Sequence, residues 1–269
     1  MISKYTHKEL VWIDLDTPTT EELVHVIEQY SIPLSIEDEL RISSDESKTL
    51  LISSCIFTSL YFPKLISSEN TVLNNKIIFI INSNFILTIH EGKIDAISEF
   101  LKNLEIDTTL PDQLQIKHTD LLSFYLVKNL YINLKEQLLS NNILINEIKT
   151  RISKKQSKII SDEIFNKTQN LIKIEETINS HEKIIESMSK SLVQIFGDKF
   201  QNYSSVMTEI FYEIKSMISS QNKSLINLYY LNNTYLLTKN SKKITLITSI
   251  SIISMIVIIL IAFYVITHI

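Results

Sequence analysis

The strongest constraint on this chain is a run of 23 residues, Ile244 to Ile266, that contains no charged residue, no Gly and no Pro. As a helix rising about 1.5 Å per residue, the run would be about 35 Å long, enough to cross a hydrocarbon core of about 30 Å. A buried core helix is the alternative, but such helices seldom stay this apolar over this length. We therefore predict one transmembrane helix.

Basic residues flank this run on one side. Lys239, Lys242 and Lys243 precede it, and only His268 follows it. Because cytoplasmic flanks carry the excess of Lys and Arg, we predict a cytoplasmic N-terminal bulk and an outward C-terminus. The start of the chain lacks the apolar segment of a secretory signal. The expected location is a membrane, crossed once, with the bacterial inner membrane as the favoured one.

Composition argues against several classes of function. A net charge of −4 does not favour a nucleic-acid partner. The single cysteine, Cys55, cannot form an internal disulfide, and two glycines cannot build a Gly-rich phosphate loop. His181 and Glu182 lack the second His of an HExxH zinc site, and the six histidines are scattered. We predict that the chain is not an enzyme and holds no permanent cofactor.

Two acidic groups are candidate cation sites. Glu37, Asp38 and Glu39 follow one another in the first part of the chain, and Glu175 and Glu176 are adjacent in the second. Hard cations take carboxylate oxygens, but carboxylates also complement the dipole at a helix start. We favour solvated helix faces for both groups, so the sequence assigns no metal ligand.

The distribution of Pro and Gly divides the chain in two. All four prolines lie in the first 111 residues, and the remainder contains a single Gly. Because both residues interrupt helices, their scarcity permits long uninterrupted helices. We predict a cytoplasmic α/β domain over residues 1–117, a helical hairpin and stalk helix over 118–240, and a transmembrane helix with a short outer end over 241–269.

The first domain mixes strand and helix patterns. Residues 10–15, 50–62 and 76–92 are rich in β-forming residues, and the last of these runs contains a hairpin signal. Residues 17–30 and 93–104 have helical spacing. These patterns predict an α+β fold with a mixed or antiparallel sheet.

The second part is predicted to form three helices. They span about 119–151, about 161–196, and from near Asn202 to the end, with a polar break at 153–158 and a turn at Gly197-Asp198. The third helix carries apolar residues at mostly three- and four-residue steps, interrupted by Gln221. They are Val206, Ile210, Ile214, Met217, Leu225 and Leu228. Such a stripe needs a partner, and we predict self-association because the helix would be about 100 Å long.

The order of these parts resembles the CorA family of divalent-cation (magnesium) channels over nearly the whole chain. Four stretches carry the resemblance: Asp14-Leu15 with Pro18 and Glu21-Glu22-Leu23, Ile32-Pro33 before the acidic group, the strand Ile86 to His90, and Lys242 to Thr248 at the start of the span. The resemblance implies two antiparallel helices, a stalk helix that enters the membrane, a pentamer, and transport of magnesium or another divalent cation.

The chain also departs from the family. The Gly-Met-Asn tripeptide that ends the first span of family members falls on Ala262-Phe263-Tyr264, and Ile253 replaces a proline of the span. A second span and a basic tail are missing from the sequence, and no acidic pair falls near Tyr203 to Val206. We therefore expect a shortened form, for which another chain could supply the missing span, and regulation by magnesium is in doubt.

One face of the predicted span is the candidate ion path. At about 100° per residue, six residues share this face and two lie at its margins. The six are Ser241, Ile244, Thr248, Ile252, Met255 and Ile259, and the two are Thr245 and Ser251. In the channels that the chain resembles, this face lines the pore, where hydroxyls could wet an entrance and Ile and Met rings could gate by dewetting. Packing between helices is the alternative use of such hydroxyls.

Two functions of different classes remain open at this stage. In one, the chain is an oligomeric channel subunit for magnesium or another divalent cation. In the other, it is a membrane-anchored interaction or regulatory subunit with the same fold that conducts nothing. A tail-anchored tether is a third possibility, which the first domain disfavours. The sequence alone does not separate magnesium from cobalt, nickel or zinc.

Overall fold

The structure, a computed structural model, describes residues 1–8, 10–42, 46–66, 71–107, 109–114, 116, 118–153 and 157–268. Its strands are β1 (Ile2–His7), β2 (Leu10–Asp16), β3 (Lys48–Ile52), β4 (Cys55–Ile66), β5 (Thr71–Ile81) and β6 (Phe85–His90). Its helices are α1 (Thr20–Gln29), α2 (Leu34–Arg41), α3 (Asp95–Ile106), α4 (Leu110–Gln113), α5 (Thr119–Ser153), α6 (Ser157–Asn179), α7 (His181–Phe196) and α8 (Gln201–His268).

The strands form one six-stranded sheet in the order β1-β2-β6-β5-β4-β3. The β2–β6 pair is parallel and the other neighbours are antiparallel, so the predicted α+β fold with a mixed sheet is confirmed. The predicted run 50–62 is two strands, because the chain turns at Ser53 with a φ of 56°. Strand β1 was not predicted, since its alternation of exposed and half-buried residues leaves no apolar run.

Both faces of the sheet are covered. Along β5, Ile77, Phe79 and Ile81 point to one face and Ile80 points to the other, as the two-residue period of a strand requires. Helices α1 and α2 cover the face that holds Ile80, and α3, α5, α6 and α7 cover the opposite face. This double burial explains the nearly continuous apolar runs of β4, β5 and β6.

The long helices differ from prediction at one place. The helix expected over 161–196 is two helices, because α6 ends at Asn179 and α7 begins at His181. The Ser180 hydroxyl at this break donates to the Thr177 carbonyl. The break lets the His181 ring reach the Tyr61 carbonyl of β4, a tertiary contact that helical spacing does not reveal. In the polar break at 153–158, residues 154–156 lie outside the described residues.

The predicted turn at Gly197-Asp198 is confirmed. Gly197 follows α7 with a φ of 87°, in the region of positive φ that favours Gly. A short 3₁₀ turn, Asp198–Phe200, leads into α8. Helices α7 and α8 then run antiparallel, because the Tyr212 hydroxyl donates to Glu182 at 2.6 Å.

The apolar stripe of α8 lies one residue beyond several of the predicted positions. The buried residues on this side are Met207, Phe211, Ile214, Ile218, Gln221, Leu225, Leu228 and Asn232. Val206 is 38% exposed. Periodicity could not choose between Ile210 and Phe211, since both are apolar. Helices α5, α6 and α7 of the same chain cover the stripe, so the expectation that it lacks a cover within the chain is wrong.

The sheet and the helices share one hydrophobic core. It extends from Leu10 of β2 through Leu130 of α5 and Leu171 of α6 to Leu228 of α8. The predicted domain boundary at residue 117 falls on a residue outside the described ones, and so does the predicted outer end at residue 269. The division into three domains therefore stays a prediction.

Candidate functional site

The candidate site is the upper part of α8. From Lys239 to Tyr264 every residue of α8 is exposed, including all the large apolar ones. Among the residues that the structure describes, α8 is the one helix long and apolar enough to cross a membrane. The predicted single transmembrane candidate is therefore present, as a direct continuation of the helix that packs in the soluble part.

The eight predicted residues of the ion path all lie on this helix. At about 100° per residue they occupy one side, about 180° from the packed side that contains Ile214 and Asn232. The apolar members are well exposed, for example Ile244 at 64% and Met255 at 64%. The structure thus brings the eight residues together on one face, although no contact within the described chain assigns that face a role.

The hydroxyls of this face are satisfied within the helix. Thr245 donates to the Ser241 carbonyl at 3.0 Å, Thr248 to the Ile244 carbonyl at 2.9 Å, and Ser251 to the Ile247 carbonyl at 3.0 Å. Each hydroxyl proton is thereby engaged, and the oxygen lone pairs stay available to water, a cation or a neighbouring helix. Ser249, outside the candidate face, makes the same bond, so this pattern alone does not distinguish a pore from packing.

The same face continues down the helix below the span. Lys223, Ile226, Tyr230, Thr234 and Leu237 are exposed and follow one another at three- and four-residue steps towards Ser241. Sequence analysis did not include these residues in the candidate path. The spacing was available in the sequence, but only the burial of the opposite side identifies this row as the outward one.

Two buried histidines hold different charges. The His90 Nδ1 lies 2.7 Å from the Gly92 carbonyl, and its Nε2 lies 3.2 Å from an Asp14 carboxylate oxygen. Both partners are acceptors, so both ring nitrogens carry hydrogen and the ring is an imidazolium. Burial acts to lower the pKa of His90, but the hydrogen bond and charge of Asp14 outweigh it, and the pKa lies above its ordinary value.

His181 is neutral by the same reasoning. Its Nε2 donates to the Tyr61 carbonyl at 2.8 Å, and its Nδ1 accepts from the Tyr131 hydroxyl at 2.8 Å. Burial lowers the pKa of His181 to about 4. Both rings are therefore structural groups with satisfied nitrogens, as predicted for the histidines in general.

The acidic groups are paired with protein side chains. Glu37 forms an ion pair with Arg41 at 2.6 Å, and Glu39 pairs with Lys48. Glu175 accepts from the Asn222 amide at 3.1 Å. Both groups were predicted to be solvated, so the pairing is a correction, whose cause is the basic or amide neighbour that the fold supplies. Within the described ranges, no cluster of three His, Cys, Asp or Glu side chains could hold a metal ion.

Comparisons with known proteins identify the family. A family model described as CorA-like Mg²⁺ transporter protein matches residues 7–264. The complete structure of the CorA magnesium transporter from Methanocaldococcus jannaschii is similar with 16% identity and a TM-score of 0.75, over 91% of this chain and 75% of that chain.

Two further structures share the fold. The full-length CmaX protein is similar with 9% identity and a TM-score of 0.74, over 90% of this chain and 73% of that chain. The soluble domain of the Methanocaldococcus jannaschii CorA gives 15% identity and a TM-score of 0.72, over 84% and 89%. No curated protein matches the chain by sequence. The family model covers nearly the whole chain, and this chain therefore belongs to the CorA-like Mg²⁺ transporter family, as a membrane protein with a soluble domain.

Proposed function

We propose that this chain is the subunit of a homo-oligomeric channel, pentameric like the family it belongs to, that carries Mg²⁺ or another divalent cation. The observation that carries the proposal is the unbroken course of α8. One side of its lower part packs on α5, α6 and α7, which leaves the opposite side, continuous with the eight candidate residues, for an axis shared between copies.

In the proposed path, the two ends of the span act differently. The hydroxyls of Ser241, Thr245, Thr248 and Ser251 face a hydrated cation near the lysine-flanked end, because their protons are engaged and their lone pairs are not. Rings of Ile252, Met255 and Ile259 form an apolar barrier that opens by wetting.

Selectivity in such a path would be weak. The span contains no charged residue, so discrimination rests on hydration and on pore width. Ala262-Phe263-Tyr264 occupies the place of the family's Gly-Met-Asn mouth. We therefore expect little discrimination between Mg²⁺ and other divalent cations of similar size.

The proposed topology is a single pass with the soluble part in the cytoplasm, in a bacterium across the inner membrane. Lys239, Lys242 and Lys243 precede the span and support this orientation through the positive-inside bias. Protease added to spheroplasts should leave an N-terminal tag intact. Digestion of that tag without lysis would contradict the orientation.

A second candidate is a non-conducting subunit that anchors or regulates another membrane protein. Two observations favour it: Ala262-Phe263-Tyr264 in place of Gly-Met-Asn, and Lys223 on the outward face in line with the candidate path. A ring of lysines around the axis would repel cations. In this case another chain supplies the conducting loop and a further span.

The deciding experiment measures divalent-cation entry into liposomes that contain the purified chain. In a Cys55→Ser background, Met255→Cys should make the flux sensitive to block by Cd²⁺, because several thiolates would converge on a soft metal. Ile250→Cys, on the opposite side of the helix, is the matched control and should remain insensitive. Chain that crosslinks as an oligomer but passes no divalent cation would overturn the channel and favour the second candidate.

A further inference from the structure

A polar cavity of about 240 Å³ lies in the soluble part, between α5, α6 and the adjoining ends of β4 and β5. Most of its wall is polar. The residues that matter for its chemistry are Asn133, Glu136, Gln137 and Asn141 of α5 and Lys167 of α6. The cavity has room for several water molecules or one small ion with part of its hydration.

Lys167 is the unusual member of this wall. Its exposed fraction is 8%, and it is the only buried lysine among the residues that the structure describes. Its ammonium donates to the Asn141 side-chain carbonyl at 3.2 Å, and no carboxylate within the described ranges lies within ion-pair distance. Lys64 and Lys135 are more exposed, yet each has a carboxylate partner, at 2.9 Å and 2.6 Å.

This arrangement leaves a buried charge without a direct counter-ion. Burial lowers the pKa of Lys167, while Glu163 and Glu147 act in the opposite direction from a distance. The Glu163 carboxylate is itself engaged by the Arg151 guanidinium. A buried ammonium is stable when it is paired and its three N–H groups are bonded, and the described chain accounts for one of the three.

We infer that this cavity binds a small oxyanion, a phosphate or carboxylate group, through the Lys167 ammonium and the Asn133 amide. Asn133 is oriented for this role, because its carbonyl accepts from Gln137 at 2.6 Å and its N–H groups remain as donors. Gln137 is held in turn by the backbone N–H of Leu65 at 2.7 Å. Glu136 lies exposed at the same wall and limits the charge that the cavity accepts, which favours one oxyanion group over a polyphosphate.

The cavity connects to the helix that enters the membrane. The Asn141 amide that accepts from Lys167 donates to the Gln221 side chain of α8 at 2.8 Å. Gln221 in turn donates to the Leu138 carbonyl of α5 at 2.7 Å. An anion that draws the ammonium away from Asn141 therefore changes the hydrogen bonds that hold α8 against α5. This binding site is independent of whether the span conducts.

The test is thermal unfolding of the full-length chain in detergent, with inorganic phosphate added at constant ionic strength. We expect a saturable rise in Tm at millimolar phosphate. Lys167→Met should weaken the phosphate affinity by about 10- to 100-fold, the contribution of a hydrogen bond to a charged group. Lys167→Arg should retain the response. Lys173→Met, an exposed lysine of the same helix, is the matched control and should respond as the parent does.

A second variant keeps the inference testable if Lys167→Met does not fold. Asn133→Asp retains the shape and the acceptor for Gln137, but it adds a negative charge to the cavity and should abolish the phosphate response. Acetate in place of phosphate then shows which oxyanion class binds more tightly. Absence of a saturable response in the parent, or an equal response in Lys167→Met, would overturn the inference.

Hydrogen exchange on the same samples tests the connection to α8. Phosphate should change the exchange of backbone amides around Gln221 and leave those around Thr208 unchanged. Phosphate binding without any change near Gln221 would refute the link and confine the anion site to α5 and α6.

Discussion

The two parts of α8 belong to one helix but live in different surroundings. In the lower part, Met207 and Phe211 are buried, and the polar side chains of Gln221 and Asn232 have protein partners on α5 and α6. In the upper part, beyond Lys239, every residue that can be assessed is exposed, and the hydroxyls bond only to the same helix. The lower part is thus stabilised by its own chain, whereas the upper part depends on lipid or on other copies.

This difference separates two kinds of evidence. Contacts within the chain account for the position of the lower part and leave one outward row of residues. The upper part has the composition of a membrane span, and its self-bonded hydroxyls suit an apolar surrounding, where an unpaired polar group is costly. Substitutions should therefore affect folding of the soluble part below Lys239, and membrane insertion or conduction above it.

The largest effect on folding should come from the packed side of the lower part. Phe211→Ala removes a side chain that is 1% exposed and should lower the free energy of unfolding by about 3–5 kcal/mol. Phe263→Ala, at 67% exposure in the upper part, is the control and should leave unfolding of the soluble part unchanged. Denaturant unfolding in detergent measures both, and an equal loss in the two variants would contradict the comparison.

A lysine placed in the span should act differently on its two sides. Thr248→Lys puts a positive charge on the proposed path and should block cation entry, since a fixed charge in a low-dielectric pore repels strongly. Ile250→Lys, on the opposite side, should instead impair insertion, because a lipid-facing lysine costs about 2.5–3.5 kcal/mol.

Magnesium-dependent growth of a transport-deficient host, corrected for protein level in the membrane, distinguishes the two lysine variants. The expected pattern is normal membrane level without growth for Thr248→Lys, and reduced membrane level for Ile250→Lys. If both variants reach the membrane equally and rescue growth equally, the assignment of faces is wrong.

Acid should weaken the lower part through His181. The pKa of His181 in the folded chain is about 4, below the ordinary value of 6.5, so the unfolded chain binds a proton first as pH falls. The stability that neutral His181 contributes is present above pH 6.5 and is lost progressively towards pH 4, by about 2 kcal/mol between pH 7 and pH 5. His90 has the opposite sign, because its pKa is raised: its contribution is present below pH 6.5 and is lost as pH rises through the folded value.

The measurement is denaturant unfolding at pH 7 and pH 5 for the parent and for His181→Gln. The difference in unfolding free energy between the two chains should shrink at pH 5, because the variant does not titrate at this position. His25→Gln, an exposed histidine, should keep the pH dependence of the parent. An unchanged difference between parent and His181→Gln at the two pH values would disprove the assigned sign.

The smallest effect is expected at the turn that leads into α8. Gly197 has a φ of 87°, and a Cβ built there would meet no atom within 4 Å. Gly197→Ala should therefore destabilise the soluble part by about 1 kcal/mol through backbone conformation alone. Gln194→Ala, exposed on α7, should have little effect. A Gly197→Ala chain as stable as the parent would show that the turn adopts another conformation.

Much of this architecture could be predicted from local pattern. The charge-free run after Lys243, the turn at Gly197 and the hairpin between β5 and β6 each depend on residues close together in sequence. Strand β1 and the break at Ser180 could not be predicted, because each exists through contacts with distant residues: β1 pairs with β2, and His181 reaches β4.

The sequence by itself determined the membrane span, the α+β composition and the family resemblance, because length, periodicity and short motifs are local properties. Only the tertiary structure decided which side of α8 is packed, since Ile210 and Phe211 are equally apolar and burial alone separates them. It also decided that Lys167 is buried beside Asn141 and linked to Gln221, residues far apart in sequence. The physical reason is that a residue's partners are set by packing between helices, which no period along one helix records.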